Sequence, residues 1–294
     1  MNRIFEYIIT SQDLPCTVGE FLKHKGFSRQ IIIQLKKTSQ GILVNGEWAY
    51  VRTVLKADDR ITIQLLEESP SENIVPVPMK LPIVYEDEDI LLLNKPADMP
   101  VHPSINNYDN TLANGVAYYY QSQGKTFIFR CINRLDRDTT GLLILAKNAL
   151  SASLLSNQMK KREIHRTYLA VVSGTPKKTA DTITAPIARK EGSAIERCVD
   201  FTNGEYAVTH YTVVSAREHY SLLKLSLETG RTHQIRVHMK HIGNPLLGDY
   251  LYNPDFSKIQ RVALHSYRLS FIHPITQIPL SFTAKLPEDM ANLF

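Results

Sequence analysis

A carboxylate set between two guanidinium groups is the feature of this chain best suited to chemistry. It lies in Asn133-Arg134-Leu135-Asp136-Arg137-Asp138-Thr139-Thr140-Gly141, which runs into the apolar stretch Leu142-Leu143-Ile144-Leu145-Ala146. Flanking cations favour the ionised form of Asp136, and therefore a nucleophile rather than an acid. The same arginines suit a polyanion held over that carboxylate. Asp136 and Asp138 also form an Asp-x-Asp pair, whose oxygens could hold Mg²⁺ or Mn²⁺ for metal-dependent sugar transfer. Arg134 and Arg137 crowd that position with positive charge and weigh against a metal. A surface salt bridge is the plainest alternative.

His233, His238 and His241 are the other cluster of potential ligands. On a helix His238 and His241 share a face, whereas His233 points roughly 140° from His238, so a zinc trio is not expected. Most of these residues read as hydrogen-bonded polar groups of a site wall, and His102, His265 and His273 read as hydrogen-bonded polar groups too. Cys16, Cys131 and Cys198 are odd in number, far apart and outside any CxxC pair, which excludes a disulfide scaffold. Cys131 reads as a small buried residue despite its nearness to Asp136.

The elements that must position these groups fall into two parts. Length allows one large or two modest domains, with 294 residues. Near residues 13–66, Val18, Phe21 and Leu22 predict a helix stopped by Gly26, and Ser28 caps a second helix through Ile31, Ile32 and Leu35. Strand signals at Ile42-Leu43-Val44 and Ile61-Thr62-Ile63-Gln64-Leu65 follow, the first running into an Asn45-Gly46 turn. Residues 67–80, with Pro70, Pro76 and Pro78, read as an extended linker. Beyond Leu81 short strands dominate, with helices expected at Ala149 to Lys160 and from a Thr232 cap to Ile242. Strands and helices do not alternate regularly, so a mixed α+β sheet is expected rather than a doubly wound one. Lys plus Arg number 34 against 29 acidic residues, a mild excess that fits either a nucleic-acid partner or ordinary solubility. The early acid Glu6 and the shortness of every apolar run predict a soluble, cytoplasmic protein.

Further blocks accompany the Asp136 loop: Asn94-Lys95-Pro96-Ala97 with Val101-His102-Pro103; Arg166-Thr167-Tyr168-Leu169-Ala170; Thr229-Gly230-Arg231-Thr232-His233-Gln234-Ile235-Arg236-Val237-His238; Gly243-Asn244-Pro245 with Gly248-Asp249; and Ala263-Leu264-His265 with Phe271-Ile272-His273-Pro274. In this order, across residues 81–294, they resemble the RluA/RluD family of RNA pseudouridine synthases. The first fifth of the chain, through Phe27-Ser28-Arg29, Gln34-Leu35-Lys36-Lys37 and Gly41 to Gly46, resembles the alpha-L RNA-binding domain of a small-subunit ribosomal protein.

The resemblance implies a mostly antiparallel catalytic domain over 81–294, an alpha-L domain over 1–66 and the linker between them. It implies Asp136 as the catalytic aspartate, acting at C1′ or as the base that starts glycal formation. Arg134 then enters the space of the flipped uridine, Tyr168 faces the uracil, and Arg236 pairs with the carboxylate. Arg29, Lys36, Lys37, Arg137 and Arg231 are implied on the RNA backbone. The isomerisation gains and loses no atoms, so no cofactor and no metal are expected, and a monomer is the default. Ribosomal RNA is favoured over transfer RNA. Asn133 stands where the family usually has histidine, Asp98 where glycine is usual, Arg166 where lysine is usual, and Thr140 where serine is common. The Asn133 departure leaves open a catalytically silent RNA-binding protein; a metal-dependent glycosyltransferase is the remaining alternative.

Overall fold

The computed structural model describes residues 2–67 and 69–294. Met1, at the start of the expected small domain, and Glu68, in the expected linker, lie outside the described residues. The first unit contains β1 (Arg3–Ile8), α1 (Val18–His24), α2 (Arg29–Lys37), β2 (Ile42–Val44), β3 (Glu47–Trp48) and β4 (Arg60–Leu65). Its sheet runs β1-β4-β2-β3, antiparallel throughout. Thr17 and Glu20 form a capping box on α1, and the Ser28 hydroxyl accepts the Ile31 N–H to start α2. Asn45 and Gly46 take φ of 53° and 86°, which matches the tight turn between β2 and β3. The apolar positions read as helix faces, Val18, Phe21, Leu22, Ile31, Ile32 and Leu35, are buried together with Ile61 and Ile63.

Strand β1 was not expected, because its apolar residues do not mark one face. Ile4 and Ile8 are exposed and only Phe5 is buried.

The second unit contains β5 (Ile83–Glu86), β6 (Ile90–Lys95), α3 (Leu112–Gln121), β7 (Thr140–Ala146), α4 (Ala149–Lys160), β8 (His165–Ser173), β9 (Ala180–Thr184), β10 (Ile187–Arg189), β11 (Arg197–Val199), β12 (Val208–Ala216), β13 (Tyr220–Leu227), α5 (Gln234–His241), β14 (Leu264–Ile272), β15 (Pro279–Thr283) and α6 (Glu288–Ala291). Nine strands form one sheet in the order β5-β6-β7-β14-β8-β13-β12-β9, with β15 on β14. Among the described residues only β7 and β14 pair in parallel, so the class is α+β with a mixed, mostly antiparallel sheet. All seven residues of β7 are buried. Leu143 and Leu145 enter one core while Leu142, Ile144 and Ala146 enter another on the opposite face, which is why this strand reads as an unbroken apolar run.

Helix α4 has the expected bounds, but α5 starts at Gln234 rather than after Thr232. His233 holds a left-handed φ of 57° and is itself the cap. The small unit sits against the large one. Leu150 of α4 belongs to its core, Arg3 holds Asp89 through two bonds of 3.1 Å, and the Ser153 hydroxyl donates to the Gly26 carbonyl at 2.9 Å. The segment before β5 is pinned as well. Glu67 pairs with Arg130 at 2.6 Å, the Ser71 hydroxyl accepts the Phe129 N–H at 2.7 Å, and Val77 N–H donates to Asn114 at 3.1 Å.

His265 is fully buried, with Nδ1 2.8 Å from the Thr140 hydroxyl, and burial pushes its pKa down to about 4. An unfolded histidine titrates near about 6.5, so between these values the unfolded chain binds the extra proton and stability falls as pH drops. The stability advantage of wild type over His265→Gln is therefore expected to shrink between neutral pH and pH of about 4.5 in urea titrations. An advantage that is the same at both pH values would contradict a neutral buried His265.

Candidate active site

Gly141 lets the Asp136 loop enter β7. Its φ is 111°, and a Cβ there would lie 2.3 Å from the Ser266 carbonyl oxygen of the parallel neighbour β14. Asn133 clips the other end of the loop to β7. Its amide nitrogen donates to the Leu142 carbonyl at 3.3 Å and its Oδ1 accepts the Ile144 N–H at 2.9 Å. Both polar ends of this buried side chain serve the backbone, so the asparagine acts here as a structural clip. Lys95 holds the middle of the loop. It has no exposed surface, and its Nζ donates to the carbonyls of Pro96, Met99 and Arg137 at 2.7, 2.9 and 2.7 Å. Burial pushes its pKa down to about 7, against the pull of Asp138 and Asp136. Asp98, at a left-handed φ of 54°, explains the usual glycine and also clamps Arg137, whose Nε donates to it at 2.6 Å.

Pinned in this way, the loop turns Arg134 to solvent, Leu135 into the main core and Asp136 into a cleft of about 800 Å³. Arg134, Asp136, Tyr168, Arg231 and Arg236 all line that cleft; Asp138 does not, so the Asp-x-Asp pair fails to converge on it.

Arg236 organises the site. It rises from the first turn of α5 with a side chain only 1% exposed. Nε and Nη2 each donate to Asp249 at 2.8 Å, and Nη1 donates to Asp136 Oδ2 at 3.2 Å. The bidentate fork fixes the guanidinium plane, and the third donor then aims at Asp136. Tyr250 and Tyr252 lie with ring centres 5.1 Å from the guanidinium carbon. Burial opposes the charge on Arg236, but the hydrogen bonds and field of Asp249, with that of Asp136, win and raise its pKa. Asp249, fully buried, also accepts the N–H groups of Leu251 and Tyr252.

His233 brings Nε2 to 4.0 Å from Asp136 and Nδ1 to 3.1 Å from the Tyr252 hydroxyl. Burial pushes its pKa below the ordinary histidine range, and the nearby Asp136 only partly offsets this. Tyr168 sits on β8 opposite Ser266, 4% exposed, with its pKa raised by burial. Gln234 knits the adjoining loop together, accepting from the Thr229 hydroxyl and Arg231 N–H while donating to Val208 and Thr209.

The residues expected on RNA divide into two groups. Arg29, Lys36 and Lys37 are exposed on α2 and make no ion pair among the described residues. Arg137 and Arg231 are held by Asp98 and Glu205 respectively. His238 is spent on Thr209 and the Ala185 carbonyl, each at 2.9 Å, as a structural histidine. The carboxylates and imidazole of Asp87, Asp89 and His273 lie together away from the cleft lining, already bonded to Tyr85, Arg3, Asn148 and backbone N–H groups. Sequence reasoning read His233 as a polar residue of a site wall but missed Asp249, Tyr252 and Lys95 as site residues. Lys95 and Asp249 stood inside recognised blocks, but nothing local marked their partners.

A carboxylate braced by a doubly anchored arginine, in one cleft with a buried tyrosine, has the groups that chemistry at an electron-poor sugar carbon would need. The family model for RNA pseudouridylate synthase matches residues 89–241, and the chain belongs to that family: it is an RNA pseudouridine synthase, an isomerase. It is 41% identical to the uncharacterized RNA pseudouridine synthase YjbO of Bacillus subtilis, over 94% of this chain and 98% of that protein. It is 39% identical to the ribosomal large subunit pseudouridine synthase D of Zymomonas mobilis, over 87% of this chain and 86% of that one. Among solved structures, human RNA pseudouridylate synthase domain containing 1 is similar with a TM-score of 0.58 and 28% identity, covering 70% of this chain and 83% of that one. Among the described residues, no helix is long and apolar enough to cross a membrane.

Proposed function

We propose that this chain converts specific uridines of ribosomal RNA to pseudouridine, with Asp136 as the catalytic residue. The observation that carries this reading is the single Arg236 Nη1 bond to Asp136, aimed by the Asp249 fork. In the reaction the C1′–N1 bond breaks, the uracil turns, C1′ joins C5, the C5 proton leaves to water and N1 gains a proton. Asp136 acts at C1′ or withdraws the proton that starts glycal formation. Tyr168 supplies a ring face to the uracil and a hydroxyl for the proton at C5. Arg134, exposed at the cleft and without a partner among the described residues, occupies the place of the extruded uridine and offsets part of an unstacking cost of a few kcal/mol.

In this reading residues 1–66 are an alpha-L RNA-binding domain that places Arg29, Lys36 and Lys37 on phosphates, 67–80 are a linker and 81–294 the catalytic domain. Arg137 and Arg231 meet the RNA backbone once it competes with Asp98 and Glu205. The names of relatives such as the Zymomonas mobilis enzyme support ribosomal RNA as substrate. The protein acts as a cytoplasmic monomer with neither metal nor cofactor. Transcripts of large-subunit, small-subunit and transfer RNA carrying tritium at uridine C5 test this directly. Release of label to water from the large-subunit transcript, undiminished by excess chelator, is expected. Release from transfer RNA alone would overturn the substrate, and no release from any RNA would overturn the reaction.

A further inference from the structure

The small unit holds the chain's single tryptophan at its surface. Trp48 is 56% exposed and Tyr50 74% exposed, and the two line a concavity of about 550 Å³ together with Lys36 and Arg52. None of its lining residues belongs to the Asp136 cleft. Large aromatic side chains left in water beside one another mark a surface that something covers.

The scaffold beneath them is already formed. Trp48 pairs with Leu43 across β2 and β3. Tyr50 N–H donates to the Thr53 hydroxyl at 3.1 Å, and Thr53 N–H donates to the Tyr50 carbonyl at 2.9 Å. The carbonyls of Val51 and Thr53 accept N–H groups of Gly19 and Val18, each at 2.9 Å, which ties this turn to the start of α1.

Charge then selects the occupant. Lys36 and Arg52 are exposed and make no ion pair among the described residues. Three acids of the small unit are otherwise engaged: Asp13 accepts the Thr10 N–H, Glu20 the Thr17 N–H, and Asp59 the Asn45 amide and the Lys56 N–H. Glu47 precedes Trp48 on β3 and by strand alternation faces the other side. Free cations beside exposed aromatic faces suit an unpaired nucleotide, whose base stacks while its phosphate meets the cation.

We propose that this concavity is a second RNA site, which takes an unpaired nucleotide of the substrate with its base on Trp48 or Tyr50 and its phosphates on Lys36 and Arg52. The proposal rests on RNA being the substrate but not on Asp136. Because Trp48 is the only tryptophan, its fluorescence reports this site alone.

Titrating the 294-residue chain with single-stranded oligouridylate of about ten nucleotides is expected to quench that fluorescence saturably. Trp48→Ala is expected to weaken binding of a labelled oligomer roughly five- to one-hundred-fold, while Trp48→Phe retains most of the affinity. Replacing Arg52 by glutamine is expected to lower the slope of log affinity against log salt by roughly 0.7. On the full RNA substrate Trp48→Ala and Arg52→Gln raise KM and leave kcat unchanged. Unquenched fluorescence at millimolar oligomer, or equal affinity for wild type and Trp48→Ala, would overturn the site. Tritium release by such a protein would still uphold the catalytic reading, and quenching without any release would do the reverse.

Discussion

Replacing Asp136 with asparagine is expected to abolish tritium release while leaving RNA affinity nearly intact. The substitution keeps the shape of the side chain and an oxygen to accept the Arg236 Nη1 bond. It removes the negative charge and the basic lone pair, so the group can neither attack C1′ nor withdraw a proton. Loss of a nucleophile or base of this kind typically lowers turnover by roughly four orders of magnitude or more. In the proposed reading, binding depends on cations spread over the surface, including Arg29, Lys36 and Lys37, and on none of the lost chemistry. Single-turnover label release beside filter binding checks both halves. Turnover within tenfold of wild type would remove Asp136 from the mechanism.

Asp249→Ala is expected to be the most damaging single change to stability at the site. Arg236 is almost fully buried and draws two of its three carboxylate bonds from Asp249. Removing that partner leaves a buried cation held by Asp136 alone, and broken pairs of this kind cost about 3–5 kcal/mol. The N–H groups of Leu251 and Tyr252 lose their acceptor as well. Urea denaturation measures the loss. A second change, Arg236→Met, is expected to restore part of it by removing the stranded charge, without restoring label release. If Asp249→Ala melts like wild type, the guanidinium is not oriented by this fork.

Much of the small unit was legible locally. The Ser28 cap, the Gly26 stop and the Asn45-Gly46 turn act over three or four residues, and each stands where the side-chain chemistry placed it. In the large unit, β7 was legible because both of its faces are covered. Strands such as β10, β11 and β15 were not, since they are short or only partly buried and the apolar signal thins. His233 shows a related limit. Its left-handed backbone shortens α5 by one residue at its start, and no glycine announced it. Asn133, the departure that leaves a catalytically silent protein open, has its amide occupied by the backbone of β7, a contact no local pattern marks.

The chain's order of residues determined by itself which groups are available: an aspartate among arginines, a tyrosine in an apolar strand, an arginine on a short helix. Their chemistry is intrinsic to the side chains, and their family follows from the blocks in which they occur. Only the tertiary structure decided how they meet. Asp136 and Arg236 are separated by 100 positions, and Arg236 and Asp249 by 13. Such contacts depend on the pairing of β7 with β14 and on the burial of α5, which no local pattern encodes. The buried fork on Asp249 turns the arginine toward the aspartate, and that orientation makes a polar loop into a site.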